Sequence, residues 1–376
     1  MTNKLFRIFF VFIFFLSFHI SGSCQEKNDS LNYWKELAEK GNAEAQCCLG
    51  YFYANGKGVP QNYEKAVEWY RKAAEQGDAS AQNNLALCYY KGYGVQQNFE
   101  KATEWFQKAA EQGFAEAQYN LGNRYANGDG VLKDLVKAAE LYQKAADQGL
   151  ADAQYNLGAC YEEGLGVPQN YGKAAELYQK AADKGVADAQ CNLAYCYDKG
   201  IGVPENKEIA VKWYQKAADQ GNAAAQFNLG LCYHYGSGVP QNHEKAVEWY
   251  LMAAEQGIVK AQCNLGLCYA TGTGVPQNYG KAANWYQKAA NQGDAVAQHC
   301  FGVMCFSGYG VPQNYGKAVE YFQMAADQGY AAAQYNLGVC YDNGYGVHPN
   351  KAKALEWYRK AAAQGHESAQ KALGVK

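Results

Sequence analysis

The sequence lacks the features that mark most enzymes and most nucleic-acid-binding proteins. Its 34 lysine and arginine residues are balanced by 36 aspartate and glutamate residues, which argues against a nucleic-acid partner. It contains no phosphate-binding loop, no HExxH motif and no GxSxG motif, and its six histidines are scattered without a period. We therefore expect a protein that is not an enzyme and that needs no cofactor.

Long apolar segments are also missing, apart from one at the N-terminus. Lys4 and Arg7 precede an uninterrupted apolar run over residues 8–16, and small residues follow at positions 21–23. This arrangement is typical of a signal peptide, and the run is shorter than the roughly 20 apolar residues of a membrane-spanning helix. We expect residues 1–23 to be a signal peptide. The protein would then be exported, as a periplasmic protein, an outer-membrane lipoprotein or a secreted protein.

Cleavage after Ser23 would make Cys24 the first residue of the mature chain. A cysteine at this position resembles the lipid-modified cysteine of bacterial lipoproteins, although such sites usually carry leucine three residues earlier, where Ser21 stands here. Cys24 is therefore a candidate lipidation site, and a lipid there would be the only link to a membrane. We interpret the polar residues 24–30 as a tether.

Glycine recurs at a fixed interval through the rest of the chain. Ten glycines follow one another at a spacing of 36 residues: Gly41, Gly77, Gly113, Gly149, Gly185, Gly221, Gly257, Gly293, Gly329 and Gly365. A fixed period of this size indicates a helical solenoid.

Two amphipathic helices fit into each period. Between Gly221 and Gly257, Ala225 and Leu229 share one face of a first helix, and Ala246 and Tyr250 share one face of a second. The Gly-Ser-Gly-Val-Pro sequence between them ends the first helix. In all nine units Asn or Asp precedes the second helix, where its side chain can cap it: Asn62, Asn98, Asp134, Asn170, Asn206, Asn242, Asn278, Asn314 and Asn350.

These boundaries predict an all-α solenoid in residues 31–376. A lone second-type helix at 31–40 is the N-terminal half-repeat, nine repeats occupy 41–364, and a lone first-type helix at 366–375 is the C-terminal cap. No change of composition interrupts the array, so we expect one elongated domain of twenty helices.

The repeated unit resembles the Sel-one-like repeat, a 36-residue relative of the tetratricopeptide repeat. The resemblance rests on Ala-Gln-Phe-Asn-Leu-Gly-Leu-Cys-Tyr, Gly-Ser-Gly-Val-Pro-Gln-Asn and Lys-Ala-Val-Glu-Trp-Tyr in the unit that starts at Gly221, and it covers residues 31–376. It implies a right-handed α/α superhelix whose first helices line a concave groove, and a scaffold or adaptor of the exported bacterial type. The eighth unit departs from the pattern at Cys300, Phe301 and Cys305, so its packing should differ.

Thirteen cysteines in an exported chain raise the question of disulfides. Six share one position in successive first helices, whose axes should lie roughly 8–10 Å apart, too far for a bridge. Cysteine-rich relatives bridge the two helices of a repeat, but no second helix contains cysteine here. We expect mostly free, buried thiols, and no metal at Cys263, Cys268, His299 and Cys300, which lack CxxC or HxxxH spacing.

The resemblance also supplies an alternative function, since some cysteine-rich relatives have been described as β-lactamases. Ser368 and Lys371 match the SxxK motif of such enzymes, but the companion Ser-Asp-Asn and Lys-Thr-Gly elements are missing. A β-lactamase-like or cell-wall-peptide hydrolase is therefore the alternative to a binding protein. A purely structural array that spaces other modules is a third hypothesis.

One column of asparagines is the candidate binding surface for a protein or peptide, because an amide can both donate to and accept from an extended backbone. It comprises Asn84, Asn120, Asn156, Asn192, Asn228, Asn264 and Asn336, with Tyr119, Tyr155, Phe227 and Tyr335 beside it. One turn further along, the residues vary: Tyr90, Glu162, Asp198, His234 and Phe306. The alternative is that each asparagine only bonds the adjacent repeat, since buried amides must be satisfied in either case.

Overall fold

The computed structural model describes residues 31–374. Every regular element in that range is an α-helix, and there are twenty of them. This confirms the all-α, solenoid-like arrangement of nine helix-turn-helix repeats. The predicted signal peptide, the tether and Cys24 lie outside the described residues.

The chain forms two compact units, one up to Glu205 and the other from Asn206 onwards. The helices of the first unit are α1 (Leu31–Glu39), α2 (Ala43–Asn55), α3 (Tyr63–Glu75), α4 (Ala79–Lys91), α5 (Phe99–Glu111), α6 (Ala115–Asn127), α7 (Leu135–Asp147), α8 (Ala151–Glu163), α9 (Tyr171–Asp183) and α10 (Ala187–Lys199).

The helices of the second unit are α11 (Lys207–Asp219), α12 (Ala223–Tyr235), α13 (His243–Glu255), α14 (Val259–Thr271), α15 (Tyr279–Asn291), α16 (Ala295–Ser307), α17 (Tyr315–Asp327), α18 (Ala331–Asn343), α19 (Lys351–Ala363) and α20 (Glu367–Ala372). None of the helices in residues 31–374 has both the length and the apolar character that crossing a bilayer requires.

The second helices begin where the sequence predicts. The side-chain oxygen of Asn242 accepts a hydrogen bond from the backbone N–H of Lys245 at 2.9 Å, and the other eight caps make the same bond. This bond satisfies one of the backbone N–H groups that a helix start leaves without a partner.

Small residues of the first helices lie under aromatic rings of the second. Gly230 faces Tyr250 so closely that a methyl group in its place would lie 2.6 Å from the ring carbon Cδ1. The ring, Leu229 and Ala225 are each almost wholly buried. Two repeats carry alanine instead, Ala86 and Ala194, which shows that this contact can adjust by one methyl group.

Glutamines link each repeat to the one before it. Gln262 Nε2 donates to the carbonyl of Ala254 in the preceding second helix at 3.0 Å, and Gln262 Oε1 accepts from Gln292 at 2.9 Å. The same paired amides recur in other repeats of both units, for example between Gln82 and Gln112 at 2.8 Å. Where the pair forms, the buried amide is satisfied within the array, as burial of a polar group requires. The exception among the described residues is Gln154, whose Oε1 has no partner because Lys184 replaces the paired glutamine.

The loop glycines lie close against the backbone of the preceding repeat. Gly274 has φ of +71°, and a methyl group on it would lie 2.3 Å from the carbonyl oxygen of His243, the first residue of α13 in the preceding repeat. Only glycine fits there, because it adopts positive φ without strain and has no side chain to collide with the neighbouring backbone.

The cysteines are mostly free, as predicted. Eleven of the cysteines in the described residues are free thiols. Burial raises the pKa of Cys88, Cys160 and Cys340 to about 12. These thiols therefore behave as small apolar core residues.

The eighth repeat packs differently, as its departures from the pattern predicted. Phe301 and Cys305 are each 1% exposed, and the ring of Phe301 meets that of Tyr321 edge to face at 4.8 Å. Aromatic packing thus replaces the usual leucine contact in this repeat.

The loop contact predicts a difference between two glycines that both have positive φ. Gly274→Ala should lower the free energy of unfolding by about 2–5 kcal/mol, since backbone strain and overpacking add. Gly257 has φ of +92° with no atom within 4 Å of an added methyl group, so Gly257→Ala should cost only the strain of about 1–2 kcal/mol. Urea denaturation of the two variants measures both values, and equal losses would contradict the close approach.

Thiol titration checks the state of the cysteines. The unreduced protein should react slowly with a thiol reagent at pH 8, because burial keeps the thiols protonated and out of contact with solvent. After denaturation, the eleven thiols that are free in the described residues should react. Four or more blocked thiols among them would show that disulfides hold the repeats together.

Candidate peptide-binding surface

The asparagine column lies on first helices throughout, but its burial differs from repeat to repeat. In the first unit Asn84, Asn120 and Asn156 are 0%, 4% and 1% exposed. In the second unit Asn228 and Asn264 are partly exposed. The same is true of Asn192 in the first unit and Asn336 in the second.

Two of the three buried amides bond to the preceding repeat. Asn120 Nδ2 donates to Asn83 Oδ1 at 3.0 Å, and Asn156 Nδ2 donates to Asn123 Oδ1 at 3.3 Å. Asn84 Oδ1 also accepts from Asn83 at 3.5 Å. These three amides do not reach the surface, so at these positions the structure favours the role within the array over contact with a ligand.

Asn336 has a partner of a different kind. Its Nδ2 lies 2.9 Å from Nε2 of His299 in the preceding repeat. Burial, with the charge of His366 as a second cause, lowers the pKa of His299 to about 4. The imidazole is therefore neutral near pH 7, and one of its ring nitrogens can accept the amide hydrogen.

The aromatic residues beside the column pack against their own repeats. The ring centroid of Tyr119 lies 6.0 Å from that of Tyr142, and Phe227 lies 5.9 Å from Tyr250. Tyr119 and Phe227 are each 3% exposed and belong to the core. Tyr155 and Tyr335 are partly exposed, so these two remain within reach of a ligand. Tyr335 also stacks on His366 at 4.8 Å.

The varied position one turn further on pairs with the second helix of the same repeat. His234 lies 5.0 Å from His243, and Phe306 lies 4.9 Å from Tyr315, between ring centroids. Glu162 accepts from the hydroxyl of Tyr178 at 2.6 Å. The variation of residue type at this position is thus partly explained by packing within each repeat. His234 and Phe306 are each followed nine residues later by a residue of similar type, and this pairing in the sequence could have indicated the contact.

A buried polar cluster in the first unit was not predicted from the sequence. Arg124 is 1% exposed, its guanidinium lies 3.7 Å from the ring centroid of Tyr90, and it forms an ion pair with Asp129 at 3.3 Å. Asn123 accepts from the hydroxyl of Tyr142 at 2.7 Å. Arg124 replaces the cysteine of other repeats, so this break in the pattern was visible in the sequence.

The structure also places the residues considered for a metal site and for the SxxK match. Within residues 31–374 no three His, Cys, Asp or Glu side chains are grouped so that they could hold a metal ion. Ser368 and Lys371 are exposed on the six-residue helix α20. Cys263 Sγ donates to Asp294 at 3.4 Å.

Comparison with known proteins identifies the repeat. The model of the Sel1 repeat matches nine consecutive segments: residues 43–78, 79–114, 115–150, 151–186, 187–222, 223–258, 259–294, 295–330 and 331–366. Each segment begins two residues after the glycine that opens the period in the sequence. Sel1 repeats are generally protein-interaction modules, and the family is typically non-catalytic. No curated protein matches the chain.

Two solved structures share this architecture over most of the chain. The protective antigen c5321 of uropathogenic Escherichia coli, which has an SLR fold, is 36% identical, with 93% of this chain and 84% of that chain covered and a TM-score of 0.63. A Sel1 repeat protein from Oxalobacter formigenes is 34% identical, with 86% and 92% covered and a TM-score of 0.61. The chain belongs to the Sel1 repeat family.

Proposed function

We propose that this protein is an exported, non-enzymatic scaffold that binds a protein or peptide on the first-helix face of its repeats, the face that the resemblance assigns to a concave groove. The observation that carries the proposal is the partial exposure of Asn228, Asn264 and Asn336 at the same position of three repeats. These amides lie along the second unit at multiples of the 36-residue period.

The partly exposed amides suit an extended peptide. A side-chain amide offers both a donor and an acceptor, which is what the backbone of an extended ligand requires from its binding site. Asn228 and Asn264 come from neighbouring first helices, α12 and α14, and would contact successive stretches of one ligand. The three buried asparagines of the first unit are excluded from this role.

Residues near these amides would supply specificity. In the second unit the position one turn further on carries His234 and Phe306, both partly exposed. A constant amide would hold the ligand backbone, while such differing neighbours would select its side chains. A family of protein-interaction modules is consistent with this division of roles.

Removal of two exposed amides tests the binding role. With a peptide selected on the wild-type protein from a random library, Asn228→Ala combined with Asn264→Ala should weaken affinity about tenfold or more, since two hydrogen bonds of ~1 kcal/mol each are lost. Calorimetry measures the affinity, and urea denaturation of the same variant should show a change within about 0.5 kcal/mol.

Asn120→Ala is the matched control for this experiment. Its amide is buried and bonded to Asn83, so the free energy of unfolding should fall by about 1–3 kcal/mol while peptide affinity stays unchanged. A large loss of stability in the double variant, with peptide affinity intact, would rule out the peptide-binding role.

Export and a lipid at Cys24 form a second part of the proposal, supported by the charged, apolar and small-residue segments that precede this cysteine. The chain expressed in bacteria should incorporate labelled palmitate, and Cys24→Ser should abolish the label. Cys47→Ser serves as the control and should retain it. A wild-type chain without label would contradict the lipid anchor.

A further inference from the structure

The second helices share a large aromatic residue at one position, and two repeats lack it. The aromatic residues are Trp69, Trp105, Trp213, Trp249, Trp285, Tyr321 and Trp357, whereas Leu141 and Leu177 occupy the position in the third and fourth repeats. This exchange removes an indole from a column that is aromatic in the other seven repeats.

The indole normally carries a lysine on its face. Lys108 Nζ lies 4.0 Å from the ring centroid of Trp105, three residues earlier, and four other repeats show the same contact at 3.9–4.1 Å. In the third repeat Lys144 stands three residues after Leu141, so the lysine is kept while the ring is absent. No ring contact of Lys144 occurs among the described residues.

A pocket of about 260 Å³ lies at this place. Its walls come from α5 and α7, and Leu121 and Tyr125 of α6 contribute apolar surface beneath them. Leu141 and Lys144 are both part of the lining. Leu141 packs against the same core cluster as Phe106 and Leu121 but stays only partly buried.

In the fourth repeat the leucine at this position is buried. Leu177 is 9% exposed and belongs to the core cluster of Tyr142 and Leu157. Its lysine, Lys180, forms an ion pair with Glu176 at 2.7 Å. Only in the third repeat, among the described residues, do a missing aromatic ring, the lysine that would contact it and an open pocket occur together.

We propose that this pocket binds an aromatic side chain of a partner protein, tryptophan foremost, which replaces the indole that the third repeat lacks. The volume is below the roughly 300–1,000 Å³ of sites for drug-sized ligands but above the about 150 Å³ that holds benzene in an apolar cavity. It thus fits one side chain. Lys144 supplies a cation for the ring face, and indole is the best partner for such a contact.

The charges around the pocket favour a neutral ring. Two lysines, Lys137 and Lys144, are balanced by two glutamates, Glu111 and Glu140. Neither an anionic nor a cationic ligand gains from such a balance, so selectivity comes from the apolar surface and from the lysine. The pocket lies between second helices and uses none of the asparagines, so it is independent of the proposed groove.

Filling the pocket with the missing residue tests the proposal. The probe is N-acetyl-5-fluorotryptophanamide, followed by ¹⁹F NMR, with 5-fluoroindole as a second probe. Leu141→Trp should weaken binding of the blocked amino acid at least tenfold, because the new indole occupies the site, and it should raise the melting temperature. Tyr321→Trp adds an indole at the same position of the eighth repeat and should leave binding unchanged.

A milder change keeps the test decisive if Leu141→Trp does not fold. Lys144→Gln should weaken binding about two- to fivefold, as loss of an exposed cation–π contact implies. Binding of 5-fluoroindole without binding of the blocked amino acid would show that the site takes only a small molecule and would overturn the partner proposal. So would absence of binding to the wild type, or equal loss in Leu141→Trp and Tyr321→Trp.

One variant separates this inference from the proposed groove. The double substitution Asn228→Ala and Asn264→Ala should leave binding of the fluorinated probe unchanged. Equal loss of probe and peptide affinity in that variant would overturn the assignment of the probe to the pocket of the third repeat.

Discussion

The packing of one repeat on the next depends on the contact between a loop glycine and the backbone of the preceding repeat. At Gly274 no side chain fits, since an added methyl group would come within 2.3 Å of the carbonyl of His243. Such contacts fix the distance from one repeat to the next, and each helix pair must then meet its neighbour in the same way. Residues that face the neighbouring repeat are therefore of the same type in most repeats. Differences in binding between repeats then depend on the residues at the remaining positions.

The helices could be predicted from the sequence because the signals that begin and end them are local and are repeated nine times. A cap such as Asn242 acts within its own turn, and the stripe of Ala225 and Leu229 follows from helical geometry alone. The burial and the hydrogen-bond partners of the asparagine column could not be predicted in this way. It depends on what the preceding repeat offers: Asn83 and Asn123 give polar partners in the first unit, where Asn120 and Asn156 are buried. Other repeats carry tyrosine, phenylalanine, cysteine or histidine at the position of Asn83, and the histidine, His299, is the partner of Asn336.

Lysines of the second helices show a similar dependence on neighbours. Spacing of four residues from glutamate suggests an ion pair, and Lys360 does pair with Glu356 at 2.7 Å, but the same ammonium group also lies 4.0 Å from the ring of Trp357. For Lys108 the ring of Trp105 is the contact that forms. An exposed ion pair is worth little in water, so a flexible lysine can settle on an aromatic face at comparable free energy. The pairing therefore follows from the structure and only in part from the spacing.

A repeat array can hold more than one recognition site because each repeat contacts only its neighbours. The loss of one indole at Leu141 opens space between α5 and α7 without disturbing the caps, the glutamine links or the loop glycines of the same repeat. The first helices meanwhile retain their amides. The asparagine surface and the pocket at Leu141 can thus change separately. The first changes by substitution of residues beside a constant amide, and the second by exchange of a single large side chain. In a globular core the same exchange would leave a buried cavity with its full energetic cost. Here the gap opens to solvent, so a partner can reach it and supply the missing contacts.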